Sequence, residues 1–178
     1  MTNVKISKPS ILVAQLGARR HYQQPILFHE WGILDTLYTD FYSGHNWVAQ
    51  LLRHAQIYNH LPNLMKNGLD RYDPALKNAR IIHFPRFGYQ YAQALRKASH
   101  QKASLVFLWA GKEFCHRIIQ NGLGEANVVY GFNGASLELF EYAKEQGVRC
   151  ILDQTLAERS LVYQLLLEEA QYWPEWSL

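Results

Sequence analysis

Four short polar segments each follow an apolar run, and they hold the residue types that bind anions and hydroxyls. Gly17-Ala18-Arg19-Arg20 sets two guanidiniums beside a glycine. A glycine lets backbone close on a ligand, and arginine grips phosphate through a two-pronged fork. A helix starting just afterwards adds free N–H groups that favour an anion. The same four residues also read as a capping turn with two solvated arginines. Asn133-Gly134-Ala135-Ser136 precedes a helical stripe. Its free N–H groups hold a hydroxyl or a phosphate, or Asn133 is an ordinary N-cap. Asp153-Gln154-Thr155 and Asp40 close two further apolar runs. Each aspartate accepts hydrogen bonds from sugar hydroxyls in one reading and serves the local structure in the other.

Several other chemistries lack their residues. No GxGxxG follows the first apolar run, which weakens dinucleotide binding, and no GxxxxGK[ST] exists to cradle a triphosphate. Gly134-Ala135-Ser136-Leu137-Glu138 ends in Glu where a nucleophile elbow needs Gly. Asp70 and Asp73 are too far apart for a DxD metal motif. His21, His29, His45, His54, His60, His83, His100 and His116 show no HxxxH or HExxH spacing, so no metal or other cofactor is expected. His83 stands at a strand end, where it either faces a crevice or is a satisfied edge residue. Cys115 and Cys150, without a CxxC, read as two reduced thiols of a cytoplasmic protein. Basic residues do not alternate with exposed aromatics, so nucleic acid is not an expected partner.

The elements that must position these segments alternate between short apolar runs and amphipathic helices, the pattern of a parallel α/β sheet. Residues 10–16 read as a buried strand, Pro25 opens a helix, and residues 36–40 form a second strand. Residues 46–58 carry one apolar face, and residues 61–80 are broken by Pro62, Gly68 and Pro74. Residues 81–84 are a short strand. Two helices follow, one through Phe87, Tyr91 and Leu95, the other through Leu105, Leu108, Trp109, Cys115 and Ile119. Residues 127–132 and 148–152 read as buried parallel strands joined by a helix that ends at Gly147, and residues 158–171 form a last helix. The expected fold is an open, mostly parallel Rossmann-like sheet flanked by helices. In such sheets ligands bind beyond the carboxyl ends of the strands, where all four polar segments lie.

At 178 residues, with 48% apolar and 19% charged side chains, the chain has ample core for one domain spanning 1–178. The longest apolar run, residues 105–110, is far short of the ~20 residues that span a bilayer. No apolar segment follows Lys5 and Lys8 as a secretory signal would require. Charge is polarised: residues 1–120 hold 15 Lys/Arg against 6 Asp/Glu, residues 121–178 hold 3 against 9. The basic part is expected to meet anions, including lipid headgroups at the inner membrane surface.

In order along the chain, these segments resemble the amino-terminal domain of the retaining, metal-independent "glycosyl transferases group 1" family of two-Rossmann-domain (GT-B) architecture. The resemblance rests on Gly17-Ala18-Arg19-Arg20-His21-Tyr22 with Pro25, and on Leu37-Tyr38-Thr39-Asp40. It continues through Val129-Tyr130-Gly131-Phe132-Asn133, Gly147, Cys150-Ile151-Leu152-Asp153-Gln154-Thr155, and closes on Trp173-Pro174-Glu175-Trp176. It implies the acceptor-binding half of a nucleotide-sugar-dependent glycosyltransferase, with a sugar or lipid-linked acceptor. The donor domain has no counterpart in these residues, so the chain alone is expected to transfer no sugar. By the same resemblance, Gly17, Ala18, Arg19 and Arg20 approach sugar and phosphate. Asp40, Asn133, Gly134, Asp153 and Gln154 would then hold acceptor hydroxyls. No histidine stands in residues 130–133 or 153–155, so no catalytic residue is assigned. The alternatives are a non-catalytic binding or interaction module of the same fold, and a small oxidoreductase that binds nicotinamide.

Overall fold

The structure, a computed structural model, describes residues 8–44, 47–155 and 157–176. Its five strands are β1 (Ile11–Gln15), β2 (Leu34–Thr39), β3 (Ile81–His83), β4 (Val128–Phe132) and β5 (Arg149–Asp153). They pair in parallel in the order β3-β2-β1-β4-β5. The chain therefore leaves β1 for one side of the sheet and returns to the other through β4. This reversal opens a crevice between the carboxyl ends of β1 and β4.

Every residue of β1 is buried, as its uninterrupted apolar run requires of a strand covered on both faces. Leu12, Ala14, Tyr38 and Val129 point to one layer. There they meet Phe87 of α5 (Pro85–Lys97), Ala110, Phe114, Cys115 and Ile118 of α6 (His100–Asn121), and Leu139 and Ala143 of α7 (Leu137–Glu145). Ile11, Val13, Leu37 and Val128 point to the opposite layer, built from Tyr22, Tyr42, Leu76 and Ile26 of α1 (Gln23–Glu30). Each fully buried Leu or Phe contributes ~1.5–3 kcal/mol to this arrangement.

Between β2 and β3 lie three short helices, α2 (Trp47–Leu52), α3 (Ala55–Tyr58) and α4 (Asn63–Leu69). The single helix expected over 46–58 is thus interrupted at Arg53–His54, and its start at Asn46 lies outside the described residues. One further expectation needs correction. Strand β5 is an edge strand with Ile151 and Leu152 about half exposed, because the sheet order leaves its outer side uncovered. On α6, the core takes Ala110, Phe114, Cys115 and Ile118, while Leu105, Leu108 and Trp109 face outward. The last helix, α8 (Arg159–Tyr172), carries exposed leucines and tyrosines on several sides.

Candidate functional site

The crevice is bordered by the turn after β1. Gly17 takes φ +85°, open to it because a glycine has no Cβ. Its N–H donates to Asp40 Oδ1 at 2.9 Å. Asp40 also accepts from the Thr39 hydroxyl at 3.2 Å and, through Oδ2, from Arg71 Nη1 at 2.8 Å. Its carboxylate is therefore spent behind the turn, and it acts as the turn's clamp rather than as a group lining the crevice. Beneath the same turn, buried Gln15 donates through Nε2 to the carbonyls of Gly17 and Arg19, both at 3.1 Å. Its Oε1 is buried and meets no hydrogen-bond partner among the described residues.

The next three residues are the most unusual in the chain. Arg20, His21 and Tyr22 have φ of 47°, 47° and 62°, a full left-handed turn without a glycine. Each such residue costs ~1–2 kcal/mol, so something must hold the turn in place. Tyr22 does so. Its ring is buried edge-on against Tyr42 at 5.6 Å, its hydroxyl donates to the Phe41 carbonyl, and Pro25 follows it into the core. Burial pushes the Tyr22 phenol well above its ordinary range. With Tyr22 turned in, Arg20 and His21 are left on the outside.

Two contacts cross from this turn to the other half of the sheet. Arg19 donates to Asn133 Oδ1 at 3.2 Å and to the Asn133 carbonyl at 3.3 Å, with its guanidinium 5.5 Å from the Phe132 ring. These acceptors are neutral, so Arg19 keeps its positive field at the crevice. Arg20 Nη1 lies 3.8 Å from Asp153 Oδ2. That oxygen also accepts from Tyr130 Oη at 2.8 Å and from Gln24 at 3.5 Å. Burial, and then the hydrogen bond to Asp153, push the Tyr130 phenol up to about 12. Tyr130 is thus a neutral donor to a carboxylate at ordinary pH.

Asn133 is not the N-cap of α7. That place belongs to Ser136, whose hydroxyl donates to the Phe132 carbonyl at 2.7 Å. Asn133 instead joins Arg19 to Thr155, which donates to Oδ1 at 3.1 Å. Gly134 takes φ +86°, and its carbonyl lies so close to Gly111 of α6 that a Cβ on Gly111 would collide with it. On that side Gly134 and Gln154 line a groove of about 620 Å³ with Phe107 and Leu108. His83 sits elsewhere, in a mostly apolar cavity of about 550 Å³ at the ends of β2 and β3. Its Nδ1 there accepts from the Tyr42 N–H at 3.4 Å.

The structure thus gathers Gly17 with Asp40, Arg19 with Asn133, and Arg20 with Asp153. Ala18 lies within the turn, while Gly134 and Gln154 border a neighbouring groove. Sequence reasoning missed Arg71, Gln15, Tyr22, Tyr130 and Gln24. Tyr130 and Gln15 had a local signal, each a polar-tipped side chain on an otherwise apolar inner strand. No protein-family model matches the chain, and neither a curated protein nor a solved structure matches it.

Proposed function

We propose that this chain is the acceptor-side half of a nucleotide-sugar-dependent, metal-independent glycosyltransferase. In this reading its crevice binds a phosphorylated or hydroxyl-rich acceptor and a second domain brings the donor. The observation that carries the reading is the left-handed turn at Arg20, His21 and Tyr22. Strain of this kind is kept where it places groups for a ligand. Here it sets Arg19 and Arg20 at the rim of the crevice, opposite Asp153. The arginines supply the bidentate donors that phosphate oxygens need, and Asp153 and Asn133 supply acceptors for sugar hydroxyls. A leaving diphosphate would be stabilised electrostatically by such fixed cations.

The test is binding, since the chain alone is expected to turn nothing over. Titration of a glycosyl phosphate, followed by calorimetry, should give saturable binding that Arg19→Ala and Arg20→Ala each weaken by about tenfold. A parent chain that ignores glycosyl phosphates, or that transfers sugar unaided, overturns the reading. Saturable binding of a nicotinamide dinucleotide in their place would point to the oxidoreductase alternative.

A further inference from the structure

Three arginines surround the glycine turn, and two of them have their guanidiniums engaged across the crevice. Arg19 places both terminal nitrogens on Asn133, and Arg20 leans on Asp153. Arg71 differs. Asp40 takes its Nη1 at 2.8 Å, while Nη2 and Nε meet no hydrogen-bond partner among the described residues and neither is sealed from solvent. Nη2 stands 3.5 Å from where a Cβ on Gly17 would be, so it lies over the space that the glycine keeps empty. Mostly buried and fixed by a buried carboxylate, this guanidinium gives up little rotamer freedom when a ligand arrives.

A second open donor stands on α5. The Tyr91 ring is stacked on Phe87 at 6.2 Å and edge-on to Phe107 at 6.5 Å, which fixes the direction of its hydroxyl. That hydroxyl meets no hydrogen-bond partner among the described residues. Burial raises the Tyr91 phenol above its ordinary range, Asp40 adds to the rise, and Arg19 and Arg71 oppose it. The phenol therefore lies within the field of all three charged groups at the turn.

The open groups here are N–H and O–H donors carried by two separate elements, so a ligand must bring several oxygens. A carboxylate is planar and would be filled by the guanidinium fork alone. A phosphate monoester has three free oxygens in a tetrahedron, enough for the fork and for a hydroxyl arriving from another direction. Uncharged hydroxyls would leave the positive field of Arg19 unanswered, since its partners are neutral.

We propose that Arg71 and Tyr91 form a phosphate seat over Gly17, with Asp40 as the residue that positions Arg71. The inference rests on the crevice reading of the proposed function and adds to it the pair that separates phosphorylated from free sugars. Its test is calorimetric titration of the 178-residue chain with a glycosyl phosphate, the free sugar, inorganic phosphate and a nucleoside diphosphate. Tyr91→Phe removes a hydroxyl without a partner among the described residues, so Tm should move by no more than about 2 °C. Affinity for the glycosyl phosphate should fall about tenfold, while that for the free sugar should not change. Arg71→Lys keeps a charge beside Asp40 but loses the fork, and the same selective loss of at least about tenfold is expected. Tyr163→Phe on α8 should leave every titration unchanged.

A parent that binds the glycosyl phosphate, with both variants binding it equally well, overturns the seat and leaves the crevice reading standing. Equal losses for the phosphorylated and the free sugar also overturn the seat, since the pair would then be structural only. A parent that binds inorganic phosphate or the nucleoside diphosphate but not the glycosyl phosphate, with both variants losing that binding, supports the seat and overturns the reading. In that case the nucleoside diphosphate would assign the phosphate to the donor. Binding of none of the four overturns both.

Discussion

The clamp behind the glycine turn makes a quantitative prediction about which of its two members matters more. Asp40 is 3% exposed and Arg71 24%, and their charged groups meet at 2.8 Å. Removing Arg71 leaves a buried carboxylate that cannot reach water, a loss of ~3–5 kcal/mol for such a pair. Removing the charge of Asp40 leaves a guanidinium that can still turn towards solvent, and the amide of Asn retains an acceptor for Gly17. That loss is one charge-assisted hydrogen bond, ~1.5–3 kcal/mol. Arg71→Met should therefore lower Tm by about 10 °C and Asp40→Asn by about 5 °C, at ~2–4 °C per kcal/mol for a chain of this size. The double variant should lose no more than Arg71→Met alone, a coupling of about 2 kcal/mol. Urea unfolding followed by circular dichroism measures all four corners of the cycle. Additive losses, or a larger loss for Asp40→Asn than for Arg71→Met, would refute the assignment of the pair as one buried clamp.

Three further outcomes follow from the same contacts. His21→Gly should raise stability by about 1 kcal/mol, because glycine adopts φ 47° without the Cβ clash; a loss on urea unfolding would mean the turn is not strained. Gly111→Ala should destabilise the chain by ~1–3 kcal/mol, since its Cβ drives into the Gly134 carbonyl and displaces the Asn133–Gly134 turn; a Tm equal to the parent's would remove that contact from the account. Alkali should act through Tyr130, whose folded value of about 12 lies above that of an unfolded phenol, ~10. Its contribution is complete below pH ~10 and is lost as pH rises towards 12, because the unfolded chain ionises first. Tyr130→Phe should flatten the decline of the urea midpoint between pH 9 and 11, and a decline as steep as the parent's would exclude it as a source.

The strands were legible because burial on both sheet faces demands apolar runs, as in residues 11–14 and 128–132. Gly147 marked a helix end for an equally local reason, a positive φ that glycine adopts freely. Three of the polar segments at the strand ends do border the crevice or its groove, as the parallel topology dictates. What escaped was set by distant partners. Arg71 reaches Asp40 from a stretch with no periodic pattern, and nothing local announces a left-handed turn written as Arg-His-Tyr. Asn133 has the composition of an N-cap, but Arg19 and Thr155 claim its side chain. The apolar spacing on α6 marked a helix but not the residues it turns to the core, since periodicity shows that a stripe exists and not which way it faces. Ile151 and Leu152 misled in the same manner, because burial depends on what lies beside a strand.

That last strand has a consequence for how the protein behaves at high concentration. Parallel strand β5 closes the sheet on one side and turns outward a row of N–H and C=O groups that no other strand among the described residues pairs with, next to two half-exposed aliphatic side chains. An edge of this kind is a template for the backbone of any other chain that comes alongside. Only five residues long and carrying Arg149 at its start, it is a weak template, and the charge keeps identical edges apart at low salt. Of the two edge strands, β3 and β5, the second is the longer and carries the half-exposed Ile151 and Leu152, so pairing with another chain is expected there first. A lysine at Ile151, at the middle of that edge, is the single change that should slow the loss of monomer most.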